Sequence, residues 1–230
     1  MKRFYSTVTV DEAADRHYRI LLDKRPVQTP ERAELTVASR PLAEAVAAEW
    51  DAQEARILPR SMPLTQLAIT KIDHVAKQRG VMHDSLMGYA RTDLTCYLAD
   101  SPEALHQRQR QHWDHARGLI EQRCGARLRT TTAIRAVAQP TQSLDTLSAA
   151  IAALPDARFN ALQATTRATS SIVLGLCLEG GLLTAAQVYE AALVDEHFQL
   201  GFWGEEADAS ARMQHIYAEL AAVERYLALL

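Results

Sequence analysis

The chain has 230 residues, 48% of them hydrophobic and 23% charged, with a net charge of −3 and a pI near 6.2. That balance excludes disorder and argues against nucleic acid as the main partner, while the length allows one large domain or two small ones with a substantial core. Aromatics are sparse, alanine and leucine abundant, and helix is favoured. Cys96, Cys124 and Cys177 lie far apart without a C-x-x-C pair, the pattern of free thiols in a reducing compartment. No apolar run approaches the ~18 residues of a membrane span, so no membrane insertion is expected. The start, Met1-Lys2-Arg3-Phe4-Tyr5, passes directly into strand-like sequence, with no signal or transit peptide visible.

The first forty residues alternate as strands do. Phe4, Ser6, Val8 and Val10 share one side of a first run, and Tyr18, Ile20 and Leu22 line a second. Asp23-Lys24 reads as a two-residue hairpin turn, with lysine where glycine is usual. Leu35 and Val37 mark a further short strand, and a helix opens near Ser39 and Pro41 with Leu42, Val46 and Trp50 as its apolar stripe.

From there the pattern is helical. Leu64, Leu67, Ala68, Ile72 and Val75 repeat at helical spacing until Gly80, and Ser101-Pro102-Glu103 opens a helix through Leu105, His112, Ala116 and Ile120. Residues 127–138 return to alternation, with Leu128, Thr130, Thr132 and Ile134 opposite Arg127, Arg129 and Arg135. Three more helices are expected: one from Phe159 through Leu176 to Gly180-Gly181, one from Thr184 toward Trp203, and one from Met213 to Leu230. The expected fold is α+β, with a β-rich N-terminal domain over 1–62, a larger helical domain over 63–230, and one strand-like insert near 127–138.

Catalytic chemistry finds little support. No G-x-x-x-x-G-K-[ST] or G-x-G-x-x-G loop is present to cradle phosphates, and no G-x-S-x-G elbow to present a serine nucleophile. His106, His112 and His115 beside Asp114 form the best metal candidate, but no further ligand is suggested by spacing, and histidines on a glutamine-rich helix surface are the favoured reading. Cys96 and Cys177 sit in apolar strings that read as core. Arg108, Arg110, Arg127, Arg129 and Arg135 lack the interleaved aromatics that stack on bases. No cofactor is expected. A small metal- or cysteine-dependent enzyme, or a structural subunit of a stable complex, are the alternatives to a binding protein.

Charge is distributed unevenly. Between Arg167 and Arg212 there is no lysine or arginine, yet seven acids occur: Glu179, Glu190, Asp195, Glu196, Glu205, Glu206 and Asp208. Taking −7 from a total of −3 leaves the remainder at +4. Negative charge in the first turn of a last helix is favoured by the helix dipole, which accounts for Glu205, Glu206 and Asp208 but not for Asp195 and Glu196. Asp195, Gln199 and Phe202 form one stripe if the preceding helix runs that far, with Trp203 beyond. On the residues alone, structural and partner-binding roles stay equally open.

Several strings in order carry a resemblance. They are Leu22-Asp23-Lys24-Arg25-Pro26-Val27-Gln28-Thr29-Pro30, of the form L-D-x-R-P-x-x-T-P; Glu49-Trp50-Asp51-Ala52-Gln53; Pro59-Arg60-Ser61-Met62-Pro63-Leu64-Thr65; Thr92-Asp93-Leu94-Thr95-Cys96-Tyr97; Gln109 with Trp113; and Asp195-Glu196-His197-Phe198-Gln199 leading into Trp203-Gly204. Together the chain resembles the ATP-twelve chaperone family, assembly factors for the catalytic head of F-type ATP synthase. The resemblance implies a non-enzymatic chaperone that binds the newly made α subunit and prevents its aggregation until the β subunit arrives. It implies a partner site of Asp195, Glu196, Gln199, Phe202, Trp203, Glu205, Glu206 and Asp208. The family tail W-G-x-D-x-E-A appears here with its two acids exchanged in kind, Glu206 for Asp and Asp208 for Glu. The expected location is the bacterial cytoplasm, or the mitochondrial matrix for a processed eukaryotic form.

Overall fold

A computed structural model describes residues 1–13, 16–203 and 207–230, with side-chain surroundings described outside 201–207. The fold is α+β, an N-terminal antiparallel sheet followed by helices. The chain divides into two compact units, Met1–Arg79 with Arg225–Leu230, and Gly80–Glu224.

In the first unit, β1 (Val8–Glu12) pairs with β2 (Tyr18–Leu22), and β2 also pairs with β3 (Arg25–Pro26) and β4 (Thr36–Val37), all antiparallel. The register Val8↔Leu22 and Val10↔Ile20 sets the β1 valines opposite the buried Ile20 and Leu22. The turn between β2 and β3 is the expected two-residue hairpin. Asp23 and Lys24 both take positive φ, 46° and 67°, as a type I′ turn requires, without glycine. Asp23 earns its place by chemistry: its carboxylate accepts from the Ser6 and Thr7 backbone N–H and the Thr7 hydroxyl at 2.9–3.2 Å. Those hydrogen bonds hold its pKa below the ordinary value, with the Thr7 and Ser6 amides foremost. They also divert the donors that would extend β1 backward. The shared side of Phe4, Ser6, Val8 and Val10 does not extend back to Phe4 as a buried position: Phe4 is 65% exposed and Tyr5 is buried, donating its hydroxyl to the Trp50 carbonyl at 2.6 Å.

Helix α1 (Arg40–Asp51) is capped by Ser39, whose Oγ accepts from Leu42 N–H, and it buries Leu42, Ala43, Val46 and Trp50. Near its end Glu49 accepts from Leu64 N–H, Thr65 N–H and the Thr65 hydroxyl at 2.7–2.8 Å, anchoring the N-terminus of α2 (Pro63–Thr70) with a carboxylate. A π turn over Lys71–Val75 leads into α3 (Ala76–Arg91). Asp73 in that turn is buried and accepts from the Thr29 hydroxyl at 2.7 Å and from Glu31 N–H at 3.2 Å. The helix does not stop at Gly80 as its sequence suggested. Gly80 has no positive φ and open space around it, so it sits in α3 as an ordinary helical residue, and the kink falls at Gln78.

In the second unit, α4 (Glu103–Cys124) ends on Gly125, whose φ of 78° supplies a left-handed C-cap. Helices α5 (Thr141–Ala152), α6 (Asp156–Thr169), α7 (Ile172–Glu179), α8 (Ala185–Ala192), α9 (Val194–Trp203) and α10 (Ala207–Ala228) follow. All eight residues of α7 are buried, making it the centre of this unit. It packs closely on α6: a Cβ on Gly175 would meet the Thr166 hydroxyl and Leu162 Cδ1 inside van der Waals contact, so any larger residue forces those buried side chains to shift. The single helix expected from Phe159 to Leu176 is broken at Ser170, with φ 56°, and Ser171 caps α7 through Leu174 N–H. The helix expected from Thr184 toward Trp203 is likewise broken at Leu193.

The strand-like insert near 127–138 is not a strand. It makes one isolated parallel bridge, Tyr97↔Thr131, and Ile134 is 105% exposed. Its alternation has no sheet to face, because neither set of side chains is buried.

The buried Thr29–Asp73 pair carries a test. Thr29→Val should lower the unfolding free energy by about 1–3 kcal/mol, since it leaves Asp73 short of a donor. Thr29→Ser should recover most of the loss. Urea unfolding of the three proteins measures both.

Candidate docking site

The acidic stretch is not uniform. Glu179 belongs to the core: it is 1% exposed and ion-paired with Arg123 at 2.7 Å and Arg158 at 2.5 Å. Its cations come from α4 and α6, outside the stretch, so the absence of lysine and arginine within 168–211 does not leave this acid unbalanced. The remaining described acids lie on α8, α9 and α10.

Helix α9 is fastened to α4 by polar and aromatic contacts. Gln109, 1% exposed, donates its Nε2 to Asp195 Oδ1 at 2.7 Å and accepts Ala99 N–H on its Oε1 at 2.6 Å. One turn along α4, buried Trp113 donates its indole N–H to the Ala191 carbonyl at 2.7 Å. Arg108 stands 5.7 Å over the Phe198 ring. On α8, Glu190 approaches His197 at 3.3 Å, and Tyr189 meets both His197 and Tyr217 edge-on at 5.3 Å. Between these groups His112 is half-buried, and burial pushes its pKa down; His197 and Arg108 reinforce that shift and Glu190 opposes it.

The sequence-derived site residues fall into three groups. Asp195 is half-buried on Gln109, and Glu196 pairs at 3.7 Å with Arg212, the first cation after the acidic stretch. That pair is partly exposed and weak. Gln199 is exposed one turn further along α9, and Asp208 is exposed in the first turn of α10. Phe202 and Trp203 form the last turn of α9, their side chains falling outside the described ones, and Glu205 and Glu206 lie outside the described residues. Because α9 does run to Trp203, Asp195, Gln199 and Phe202 share one helical stripe. Sequence reading missed Glu190 with His197, the Tyr189–Tyr217 pair and Arg212. Only Glu190 carried a signal, as an acid on the cation-free stretch.

Groups that nucleophilic or metal chemistry would use point elsewhere. Cys96 and Cys177 are fully buried and burial pushes both thiols up to about 12. Among the described residues no set of three or more His, Cys, Asp or Glu converges as metal ligands. His106 Nδ1 faces the Ala99 carbonyl at 2.7 Å, His115 is exposed, and Asp114 pairs with Arg110 at 3.0 Å and with Arg117. Among the described residues no helix is long and apolar enough to cross a membrane.

The recurring strings of the sequence now have physical meaning. Thr29 serves Asp73, Glu49 caps Leu64 and Thr65, and Gln109 and Trp113 hold α8 and α9. Asp93 is fully buried and accepts from Thr95 N–H at 2.9 Å, Thr95 Oγ1 at 2.6 Å, Ser171 Oγ at 2.9 Å and Val173 N–H at 3.1 Å. Burial pushes its carboxyl pKa up, and these hydrogen bonds oppose the shift.

Helix α9 is thus anchored by buried polar groups of its own scaffold, with half-buried Asp195 and Glu196 in its first turn and exposed Asp208 at the start of α10. The chain belongs to the ATP12 chaperone protein family, whose model matches residues 2–121. Atp12 from Paracoccus denitrificans is 33% identical, with 99% of this chain and 97% of that one covered at a TM-score of 0.91. An aspartate-to-lysine mutant of the same Paracoccus protein matches at 32% identity, the same coverage and a TM-score of 0.91. A protein from Agrobacterium tumefaciens, solved as a candidate chaperone, is 30% identical with a TM-score of 0.93, covering 99% of this chain and 85% of its own. A chaperone role follows for this chain.

Thiol accessibility checks the burial of the cysteines. In the native protein only half-buried Cys124 should react promptly with a disulfide reagent at pH 8, and Cys96 and Cys177 should react only on unfolding. Prompt labelling of Cys96 or Cys177 would contradict their place in the core.

Proposed function

We propose that this chain is a holding chaperone for the α subunit of F-type ATP synthase, covering the surface that the β subunit later takes. Membership of the ATP12 chaperone family carries the reading, and the surface chemistry supports it. A subunit waiting for its neighbour exposes apolar interface area that associates wrongly. Phe202 and Trp203 supply apolar contact, and Glu196, Glu205, Glu206 and Asp208 face basic groups of the client. Asp195 and Gln199 complete the stripe, with Asp195 fixed by Gln109 so that the helix is set before the client arrives. Affinity is moderate, because the client must leave.

Asp208 is the residue to test because it is exposed and, among the described residues, belongs to no buried network. The Paracoccus aspartate-to-lysine mutant keeps a fold that matches this chain at a TM-score of 0.91, so one such exchange is compatible with that relative's structure. Asp208→Lys should cost at most about 1 kcal/mol of stability, from its place in the first turn of α10, while weakening α-subunit binding by roughly tenfold. Co-expression with the α subunit, followed by a binding titration of the purified pair, measures both. Wild-type binding by Asp208→Lys, or its failure to fold, would reject this docking surface.

A further inference from the structure

Residues 122–144 hold four arginines and no acid, the opposite of the acidic stretch that follows. Arg123 is used inside the unit on Glu179. The others face solvent: the Arg127 side chain is 83% exposed with Glu121 at 3.8 Å, and Arg129 and Arg135 are exposed. Ile134 stands among them at 105% exposure. One exposed apolar side chain is ordinary on any surface. Its position is not.

Thr131, at the root of this arm, is bonded to the strip after Asp93: its N–H donates to the Cys96 carbonyl and its carbonyl accepts from Leu98 N–H, both at 2.9 Å. The next residue, Ala99, donates to Gln109, and Gln109 donates to Asp195. One short extended segment therefore carries the arm through Thr131 and α9 through Gln109. Adding these links places the Thr131 carbonyl within roughly 14 Å of the Asp195 carboxylate. Among the described residues Arg135 has no ion pair, and the arm does not neutralise the acids of α8–α10.

We infer that the arm 131–138 is a second part of the client-docking surface. Ile134 is its apolar anchor, and Arg135, with Arg129 just before the arm, takes acidic groups on the same α subunit whose basic groups meet α9 and α10. The inference rests on the proposed client. Positive and negative contacts side by side on one scaffold accept a client in one orientation and reject it reversed, which a single acidic patch cannot do.

The test is a binding titration of purified α subunit against wild type, Ile134→Ser, Arg135→Glu, Asp208→Lys and a control, Val81→Ser, which removes another apolar side chain, 71% exposed. Ile134→Ser and Arg135→Glu should each weaken binding about tenfold, and the Arg135→Glu effect should shrink at high salt. Val81→Ser should bind as wild type does. If Asp208→Lys loses affinity while both arm variants keep it, the arm is no part of the site and the client reading stands. If wild type does not bind the α subunit, both fall. If light scattering shows a dimer that Ile134→Ser dissolves while α-subunit binding is unchanged, the arm serves a second copy of this chain and the inference is overturned.

Discussion

Asp93 is the constraint on which the helical unit turns. A carboxylate with no accessible surface is costly unless donors surround it, and Asp93 has them: a hydroxyl and an amide from Thr95, a hydroxyl from Ser171 and the Val173 amide. Ser171 and Val173 belong to the start of α7, the wholly buried central helix, whereas Thr95 begins the strip that runs past α4. One side chain thus fixes where that strip leaves the core. Arg117 reaches back from α4 to the Thr95 carbonyl and secures the same turn. Everything beyond, Gln109 on Ala99, α9 on Gln109 and the arm on Thr131, is registered against it.

This arrangement separates the acids that build the protein from those free to meet a partner. Glu179 and Asp93 are interior groups with full complements of donors. Glu196 and Glu190 have single, partly exposed partners, and Asp208 is open to solvent. The proposed docking surface draws on these outer acids, whose surface pairs contribute little to folding and can be exchanged for intermolecular ones.

Much of this was legible in the sequence, for identifiable reasons. The hairpin at Asp23-Lys24, the Ser39 cap and the apolar stripe of α1 are local, and local chemistry decides them. The breaks at Ser170 and Leu193 were not legible, because periodicity continues across both and tertiary packing selects the interruption. Helix α5 escaped notice as well: Ser143, Leu147 and Ile151 form its only buried line, in an otherwise polar segment. The 127–138 alternation misled because period two shows a strand only where something covers one face. For the docking residues, sequence located the acidic stretch but could not tell core Glu179 from exposed Asp208. That distinction depends on Arg123 and Arg158, some twenty to sixty residues away.

Hydrogen–deuterium exchange of this protein with and without the α subunit tests the central claim most directly, that α9, the start of α10 and the arm form one docking surface hung on the Asp93 strip. Added α subunit is expected to slow exchange in residues 195–212 and in 131–138 together, leaving the sheet of the first unit unchanged. Slowed exchange confined to β1–β4, or none in the acidic stretch despite a formed complex, would contradict it.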